Sequence, residues 1–291
     1  MATTLRQPVC RQADTRPQNA EASGGFLHHV RGHDPKDGDA VALEAVVREV
    51  QDKVYRLAIR MLANPDDALE ATQEVLITVI TKLSTFEGRS SFDTWVYRVA
   101  VNYLLDEKKA QVKRACLSFE EFREDLHSDL VSDPTPSDEE GLLLSELRIS
   151  CTMAMLLCLD LKHRIAYVLG DVFEFDHSEA AEILSISKVN FRQRLSRARS
   201  QVVAFTSAHC GVANENAKCS CPRRLPAALN LGRINKERLV YAQNYGASYE
   251  DVMNQARAVE KSLRALILQR SIPVLNCPED LGVMLADIVS G

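Results

Sequence analysis

The stretch FDHSEAAEILSISKVNFRQRLSRAR, residues 175–199, decides the fold of its part of the chain. Asp176 and Glu179 form a capping pair that opens a short helix ending at Leu184. After the turn SIS, Ser187 can cap a second helix whose apolar residues recur at helical spacing: Phe191, Leu195, Ala198, Val202 and Phe205. A short helix, a tight turn and a longer helix predict a helix-turn-helix.

Positive charge is concentrated on the second of these helices. Five basic residues and no acid lie within residues 188–199, although the whole chain has a formal net charge of −5. Arg and Lys on a recognition helix meet base acceptors and phosphates in the major groove. The alternative, a solvated basic helix face, would not require the preceding helix and turn. The candidate DNA-contacting residues are Ser187, Lys188, Asn190, Phe191, Arg192, Arg194 and Arg197.

The composition of the 291 residues favours helices over a sheet-built fold. Hydrophobic residues make up 46% and aromatic residues only 6%, with 12 Gly and 10 Pro. No apolar run approaches the ~18 residues of a membrane span, and the N-terminus lacks the apolar core of a signal peptide. We therefore expect a cytoplasmic protein without membrane insertion. Its eight Cys are then thiols or metal ligands rather than a disulfide framework.

Periodicity and composition divide the chain into five parts. Residues 1–40 lack an apolar period and are predicted to be disordered. Residues 41–114 carry three amphipathic helical patterns, and residues 145–207 carry an apolar helix and the helix-turn-helix. Residues 115–144 are acidic and contain DPTPSDEE, which indicates an extended linker. With a helical C-terminal extension over residues 208–291, we predict an all-α fold of two small helical domains joined by this linker.

Two segments resemble regions 2 and 4 of bacterial sigma factors of the extracytoplasmic-function group in the sigma-70 family. DDALEATQEVLITVITKLSTFEGRSSFDTWVYRVAVNYLLDEKK resembles region 2, and LKHRIAYVLGDVFEFDHSEAAEILSISKVNFRQRLSRAR resembles region 4. The resemblance implies a protein that binds core RNA polymerase and directs transcription initiation at promoter DNA with −10 and −35 elements. It also implies no catalytic activity of its own, and an anti-sigma factor as a further candidate partner.

The same resemblance implies roles for individual residues. The helix-turn-helix would read the −35 element. Trp95 falls on the apolar stripe of the third helical pattern, so a core position is favoured over stacking on a base. The residues at the −10 element would be Arg89, Ser90, Ser91, Thr94, Arg98 and Asn102. Those facing the polymerase would be Asp66, Asp67, Gln73 and Glu74, for which an ordinary solvated face is the alternative.

The extension begins with a cluster of possible ligands, HCGVANENAKCSCPRR. Thiolates with an imidazole can hold zinc, and soft thiolates also suit copper. The candidate metal ligands are His209, Cys210, Cys219 and Cys221, while a redox-responsive thiol pair and inert thiols are the alternatives. The sigma function implied above requires no cofactor.

Further helices are predicted in KERLVYAQNY, YEDVMNQARAVEKSLRALILQ and PEDLGVMLADIVSG. The second of these has an apolar stripe that needs a surface to cover: Val252, Ala256, Val259, Leu263 and Leu266. We therefore expect the extension to pack on the two domains and to regulate them.

Two other functions compete with this interpretation. A stand-alone helix-turn-helix repressor or activator would bind duplex DNA without polymerase, usually as a dimer. A metal- or thiol-dependent enzyme would use the Cys cluster, but no phosphate loop, nucleophile elbow or acid-base pair accompanies those cysteines.

Overall fold

The computed structural model describes residues 40–106, 109–132, 134, 140–243 and 246–290. In these residues the chain forms helices and no β-strand, which confirms the predicted all-α fold. None of the described helices is long and apolar enough to cross a membrane. Residues 1–39 of the predicted disordered tail lie outside the described part. The helices are α1 (Ala40–Leu62), α2 (Pro65–Thr81), α3 (Phe92–Leu104), α4 (Ala110–Arg114), α5 (Phe119–His127), α6 (Gly141–Leu157), α7 (Leu161–Tyr167), α8 (His177–Ile183), α9 (Lys188–His209), α10 (Cys221–Asn230), α11 (Tyr249–Arg257), α12 (Lys261–Arg270) and α13 (Leu281–Ser290).

Helices α1, α2 and α3 pack together as a first module. The Asn64 side chain caps α2 by accepting a hydrogen bond from the Asp67 N–H (3.0 Å), and Pro65 opens the helix, where a missing N–H does no harm. Ser91 caps α3 in the same way. The apolar stripe predicted for α1 is buried, which confirms its helical period: Val46, Val47, Val50, Val54, Leu57, Ala58, Met61 and Leu62.

Helices α6 to α9 form a second module that contains the helix-turn-helix. Ser187 caps α9 by accepting from the Asn190 N–H (3.2 Å), and the predicted apolar stripe of α9 is buried. Between α7 and α8 the chain passes through a π-helical turn, Val168–Val172. Its Gly170 lies so close to α9 that a Cβ there would be 2.8 Å from a Leu195 methyl carbon. The absence of a side chain at Gly170 therefore sets how closely α9 approaches.

The linker prediction is wrong for residues 119–127, which form helix α5. Ser118 and Glu121 close a capping box at its start. Phe122 and Leu126 are buried, and the Phe122 ring stacks on Phe205 of α9 with centroids 5.5 Å apart. The apolar residues of α5 recur at helical spacing among the acids, which is why the acidic composition concealed an amphipathic helix.

The predicted helix KERLVYAQNY is also wrong over its described residues, 236–243. The backbone N–H groups of Val240, Tyr241 and Ala242 donate to the Glu146 carboxylate at 2.9, 2.9 and 2.7 Å. These donors point at a side chain of α6 instead of at helical carbonyls. Helix α10, by contrast, was not predicted.

The long helical pattern after residue 248 is split into α11 and α12. The break at residues 258–260 lets Val252 and Ala256 of α11 pack in one cluster with Leu268 of α12. The predicted single stripe is therefore wrong beyond α11, and Leu263 lies exposed. The expectation that the extension packs on both modules agrees with the contacts described below.

Candidate nucleic-acid interface

Helix α9 presents most of the predicted DNA-contacting side chains at its N-terminal half. Lys188, Asn190, Arg192 and Arg197 are exposed, and Arg194 is half-buried. Arg199 differs from them, because its guanidinium is held by the Asp171 carboxylate at 2.9 and 2.5 Å. Arg199 therefore fastens α9 to the π-helical turn. Lys188 and Arg192 are exposed but also donate to Ser178 (2.6 Å) and His177 (3.4 Å) of α8.

Two residues of the predicted −35 set, Ser187 and Phe191, have roles in the fold of the helix-turn-helix. Ser187 is the N-cap of α9, and its hydroxyl is occupied by the Asn190 N–H. Phe191 is completely buried and its ring packs beside the His177 ring, with centroids 5.5 Å apart. Phe191 cannot reach DNA from this position. Its burial instead holds α9 against α8, which corrects its assignment as a contact residue.

Two exposed residues on the same helix were missed. Val189 is 61% exposed and Gln193, one turn later, is exposed as well. An apolar side chain can contact a thymine methyl group, and Gln can bond adenine bidentately. Both residues lie outside the apolar stripe of α9, so their positions in the sequence already indicate an exposed face of the helix.

The predicted −10 residues lie at the start and along the polar face of α3. Arg89, Ser91 and Asn102 are exposed, Ser90 is half-buried, and Arg89 pairs with Glu87. Thr94 is only 4% exposed, and its hydroxyl lies 2.7 Å from that of Ser91. Thr94 is thus covered in this conformation, while the loop before α3 is open to solvent.

The covering element is α8, the first helix of the helix-turn-helix. Arg98 of α3 donates to both the backbone carbonyl and the carboxylate of Glu182, at 3.3 Å each. The Tyr97 and Phe175 rings meet edge to face, with centroids 5.0 Å apart. Burial, with added like charge from nearby carboxylates, raises the pKa of Glu179 at this contact. The polar face of α3 and the helix-turn-helix therefore lie directly against each other.

Trp95 lies in an aromatic cluster before and within α3. Its ring stacks on Phe92 with centroids 5.8 Å apart and lies 5.5 Å from the ring of Phe86. The side chain is half-buried. This placement fits the favoured core position, and stacking on a base stays an untested alternative.

The predicted polymerase-facing residues lie on α2. Asp66 and Glu74 are exposed and Gln73 is half-buried. Asp67 is bound by the Arg114 guanidinium of α4. Three of the four side chains are thus accessible to the polymerase. Asp67 would have to release Arg114 before it could bind the polymerase.

Three Cys residues of the extension, Cys210, Cys219 and Cys221, meet where α9 ends and α10 begins. Cys210 and Cys219 pair as a short backbone bridge, closed by the Gly211 N–H donating to the Cys219 carbonyl (2.8 Å). A Cβ at Gly211 would lie 2.7 Å from that carbonyl oxygen, so the close crossing needs glycine. Cys151 of α6 and Cys221 line a small cavity beside Cys210.

No group of three or more His, Cys, Asp or Glu side chains in the described part of the chain is placed to hold a metal ion. His209 instead packs its ring on Phe205, with centroids 4.9 Å apart. Burial raises the pKa of Cys219 to about 12 and also raises the pKa values of Cys210 and Cys221. The thiols are therefore protonated near neutral pH, and zinc or copper binding stays a prediction.

We expect these thiols to resist alkylation in the folded protein. Cys219 is buried whereas Cys116 is exposed, and only the thiolate is a good nucleophile. Treatment with N-ethylmaleimide followed by peptide mass spectrometry should show Cys116 modified at least ~100-fold faster than Cys219 at pH 7. Equal rates in the native protein would mean that the extension does not bury Cys219 in solution. A denatured sample provides the control.

Comparison with known proteins agrees with this architecture. The family model described as Sigma-70 region 2 matches residues 46–114, and the one described as Sigma-70, region 4 matches residues 149–202. The ECF RNA polymerase sigma-E factor of Haemophilus influenzae is 30% identical over 172 residues, covering 57% of this chain and 88% of the relative. SigW of Bacillus subtilis, an ECF RNA polymerase sigma factor, is 29% identical over 167 residues, covering 56% of this chain and 88% of the relative.

A further curated relative and a solved structure were also matched. The ECF RNA polymerase sigma factor SigE of Mycolicibacterium smegmatis is 28% identical over 184 residues, covering 62% of this chain and 68% of the relative. A solved structure described as CnrH in complex with the cytosolic domain of CnrY aligns at 17% identity over 64% of this chain and 98% of that chain. Its TM-score of 0.44 is too low to relate the two folds. The two family models and the curated relatives show that this chain belongs to the extracytoplasmic-function sigma factors of the sigma-70 family, which direct RNA polymerase to promoters.

Proposed function

We propose that α9 reads the −35 element through the major groove with Lys188, Asn190, Arg192, Arg194 and Arg197. The observation that carries this assignment is the exposed basic surface at the start of α9, directly after the short helix α8 and a tight turn. In such motifs the N-terminal residues of the second helix face base edges, and nearby cations neutralise phosphates.

Other surfaces of the first module would bind the −10 element and the polymerase. The exposed Arg89, Ser91 and Asn102 suit contacts with an unpaired strand, whose bases and phosphates need donors and a cationic groove. Acidic side chains of α2 would bind core RNA polymerase. RNA synthesis itself belongs to the polymerase, so we assign no catalytic step to this chain.

Reconstituted transcription tests the proposal. Purified core polymerase is incubated with genomic DNA fragments with and without the full chain, and start sites are mapped. We expect new, defined starts preceded by a shared pair of upstream elements. Absence of new starts, together with tight duplex binding by the chain alone, would favour the stand-alone helix-turn-helix regulator instead.

The remaining assignments follow from the sigma role. The factor would act in the cytoplasm, where core polymerase is found, and it would need no cofactor for promoter recognition. An anti-sigma factor remains a candidate partner. Zinc or copper at the Cys cluster is retained only as a candidate, to be tested by metal analysis of the purified protein.

A further inference from the structure

The two DNA-binding surfaces are packed together in a way that does not match a promoter. Arg98 of the −10 face is bonded to Glu182 of the helix-turn-helix. Elements centred near −10 and −35 are about 25 base pairs apart, or roughly 85 Å along the duplex at ~3.4 Å per base pair. Modules in direct contact cannot occupy both elements at once. This conflict rests on the proposed assignment of the −10 and −35 surfaces.

The C-terminal extension is fastened to the first module. Asp280 binds the Arg48 guanidinium of α1 at 2.9 and 2.8 Å, and Asn276 accepts from Arg56 at 2.6 Å. Helix α13 packs along α1. These contacts attach the extension to the module that carries the −10 face.

The extension is fastened to the second module as well. Arg148 of α6 donates to the Ser271 hydroxyl at 2.6 Å, and Arg270 donates to the Asp171 carbonyl at 2.8 Å. Asp171 is also the partner of Arg199 on the recognition helix. The end of α12 is therefore tied to the segment that positions α9.

One buried residue of the extension bonds both modules. Gln269 is completely buried. Its backbone carbonyl accepts from Arg60 of α1 at 3.0 Å, and its side-chain amide donates to the Thr152 carbonyl of α6 at 3.1 Å. Buried polar groups that lose their partners are costly. Separating the modules therefore requires breaking the contacts of Gln269 on at least one side.

We propose that the extension is an intramolecular latch, which holds the −10 face against the helix-turn-helix and must be released when core polymerase binds. The latch consists of Gln269, Arg270 and Ser271 on one side and of Asn276, Asp280 and α13 on the other. Release requires α5 to detach from Phe205. The 26 residues between α4 and α6 (115–140) can then span ~86–94 Å when fully extended at ~3.3–3.6 Å per residue.

A latch of this kind has a measurable thermodynamic signature. Polymerase binds only the open form, so the apparent Kd equals the intrinsic Kd divided by the open fraction. Any substitution that weakens the latch without touching the polymerase surface should tighten apparent binding by the same factor. The exposed Arg48–Asp280 pair is suited to this test, because its loss loosens the latch without leaving a buried charge.

The experiment follows energy transfer in the full chain as core polymerase is titrated. Donor and acceptor dyes are placed through unnatural amino acids at Lys82 of the first module and Gln201 of the second, both exposed. We expect efficient transfer in the free factor, loss of transfer on saturation, and a Kd about two- to fivefold tighter for Asp280→Lys. The double variant Arg48→Glu with Asp280→Lys restores an opposite-charge pair and should return most of the way to the wild-type Kd.

Glu279→Lys is the matched control, since it makes the same charge change at an exposed neighbour. The latch would be overturned if Glu279→Lys changed the Kd for polymerase as much as Asp280→Lys does. It would also be overturned if energy transfer persisted at saturating polymerase. No binding to polymerase by any variant would instead contradict the proposed sigma function. Binding with loss of transfer but without new transcription starts would support the latch while removing the promoter assignment.

Discussion

Replacing Arg192 and Arg197 together with alanine is expected to lower transcription from a promoter of this factor by about 100-fold. An arginine that bonds a base contributes ~1–3 kcal/mol, and ~1.4 kcal/mol is a factor of ten. Both side chains are exposed, so their loss should leave the fold intact. The measurement is start-site-specific transcription with core polymerase, at several salt concentrations. If both residues meet phosphates, the salt dependence of binding should also fall by about 2 in the log–log slope.

The matched control removes two positive charges from another exposed surface. Lys236 and Arg238 are both exposed in the extension, and their double alanine variant should retain nearly wild-type transcription. An equal loss in the two double variants would show that total charge, rather than the surface of α9, determines promoter binding.

Glu146→Ala is expected to lower the free energy of unfolding by about 3 kcal/mol or more. The Glu146 side chain is 2% exposed, and its carboxylate accepts three backbone N–H groups from residues 240–242 at 2.7–2.9 Å. Hydrogen bonds to a charged group each contribute ~1.5–3 kcal/mol, and buried donors left unpaired add a penalty. For a chain of this size, the midpoint of thermal unfolding should fall by roughly 6 °C or more.

Glu237→Ala provides the comparison, because it removes the same side chain from an exposed position in the adjoining segment. Its melting temperature should stay close to that of the wild-type protein. Glu146→Gln keeps one acceptor oxygen, so its melting temperature should lie between those of Glu146→Ala and Glu237→Ala. A Glu146→Ala protein as stable as Glu237→Ala would mean that residues 240–242 are not held by this carboxylate in solution.

The helix-turn-helix could be predicted because its determinants are local. The caps at Asp176 and Ser187 and the apolar period from Phe191 to Phe205 lie within a few turns of each other. The same local period identified α1. Phe191 shows the limit of such reasoning. Its position on the apolar stripe already implied burial, yet it was predicted to contact DNA because polar and basic residues flank it on the helix.

The errors arose where a distant partner decides the structure. Residues 236–243 have a helical composition, but the N–H groups of Val240, Tyr241 and Ala242 are bound by Glu146, more than 90 residues earlier in the chain. The contact of Arg98 with Glu182 joins residues 84 apart. The sequence identified Arg98 as part of a polar face, yet spacing alone could not show which element covers that face. Acidic composition likewise concealed α5, whose burial depends on Phe205.

Covalent attachment of the extension changes how the factor would respond to its own abundance. A separate inhibitor can be titrated away when its target is overproduced, because the two are made in independent amounts. Here Gln269 and Asp280 are synthesised with every copy of the surfaces that they hold together. The inhibitory segment is therefore present at a ratio of one to one at any level of expression, and at the high effective concentration of an intramolecular partner. Raising the gene dosage would increase the pool of closed molecules in proportion, and activity would scale with dose without the threshold that a titratable inhibitor creates.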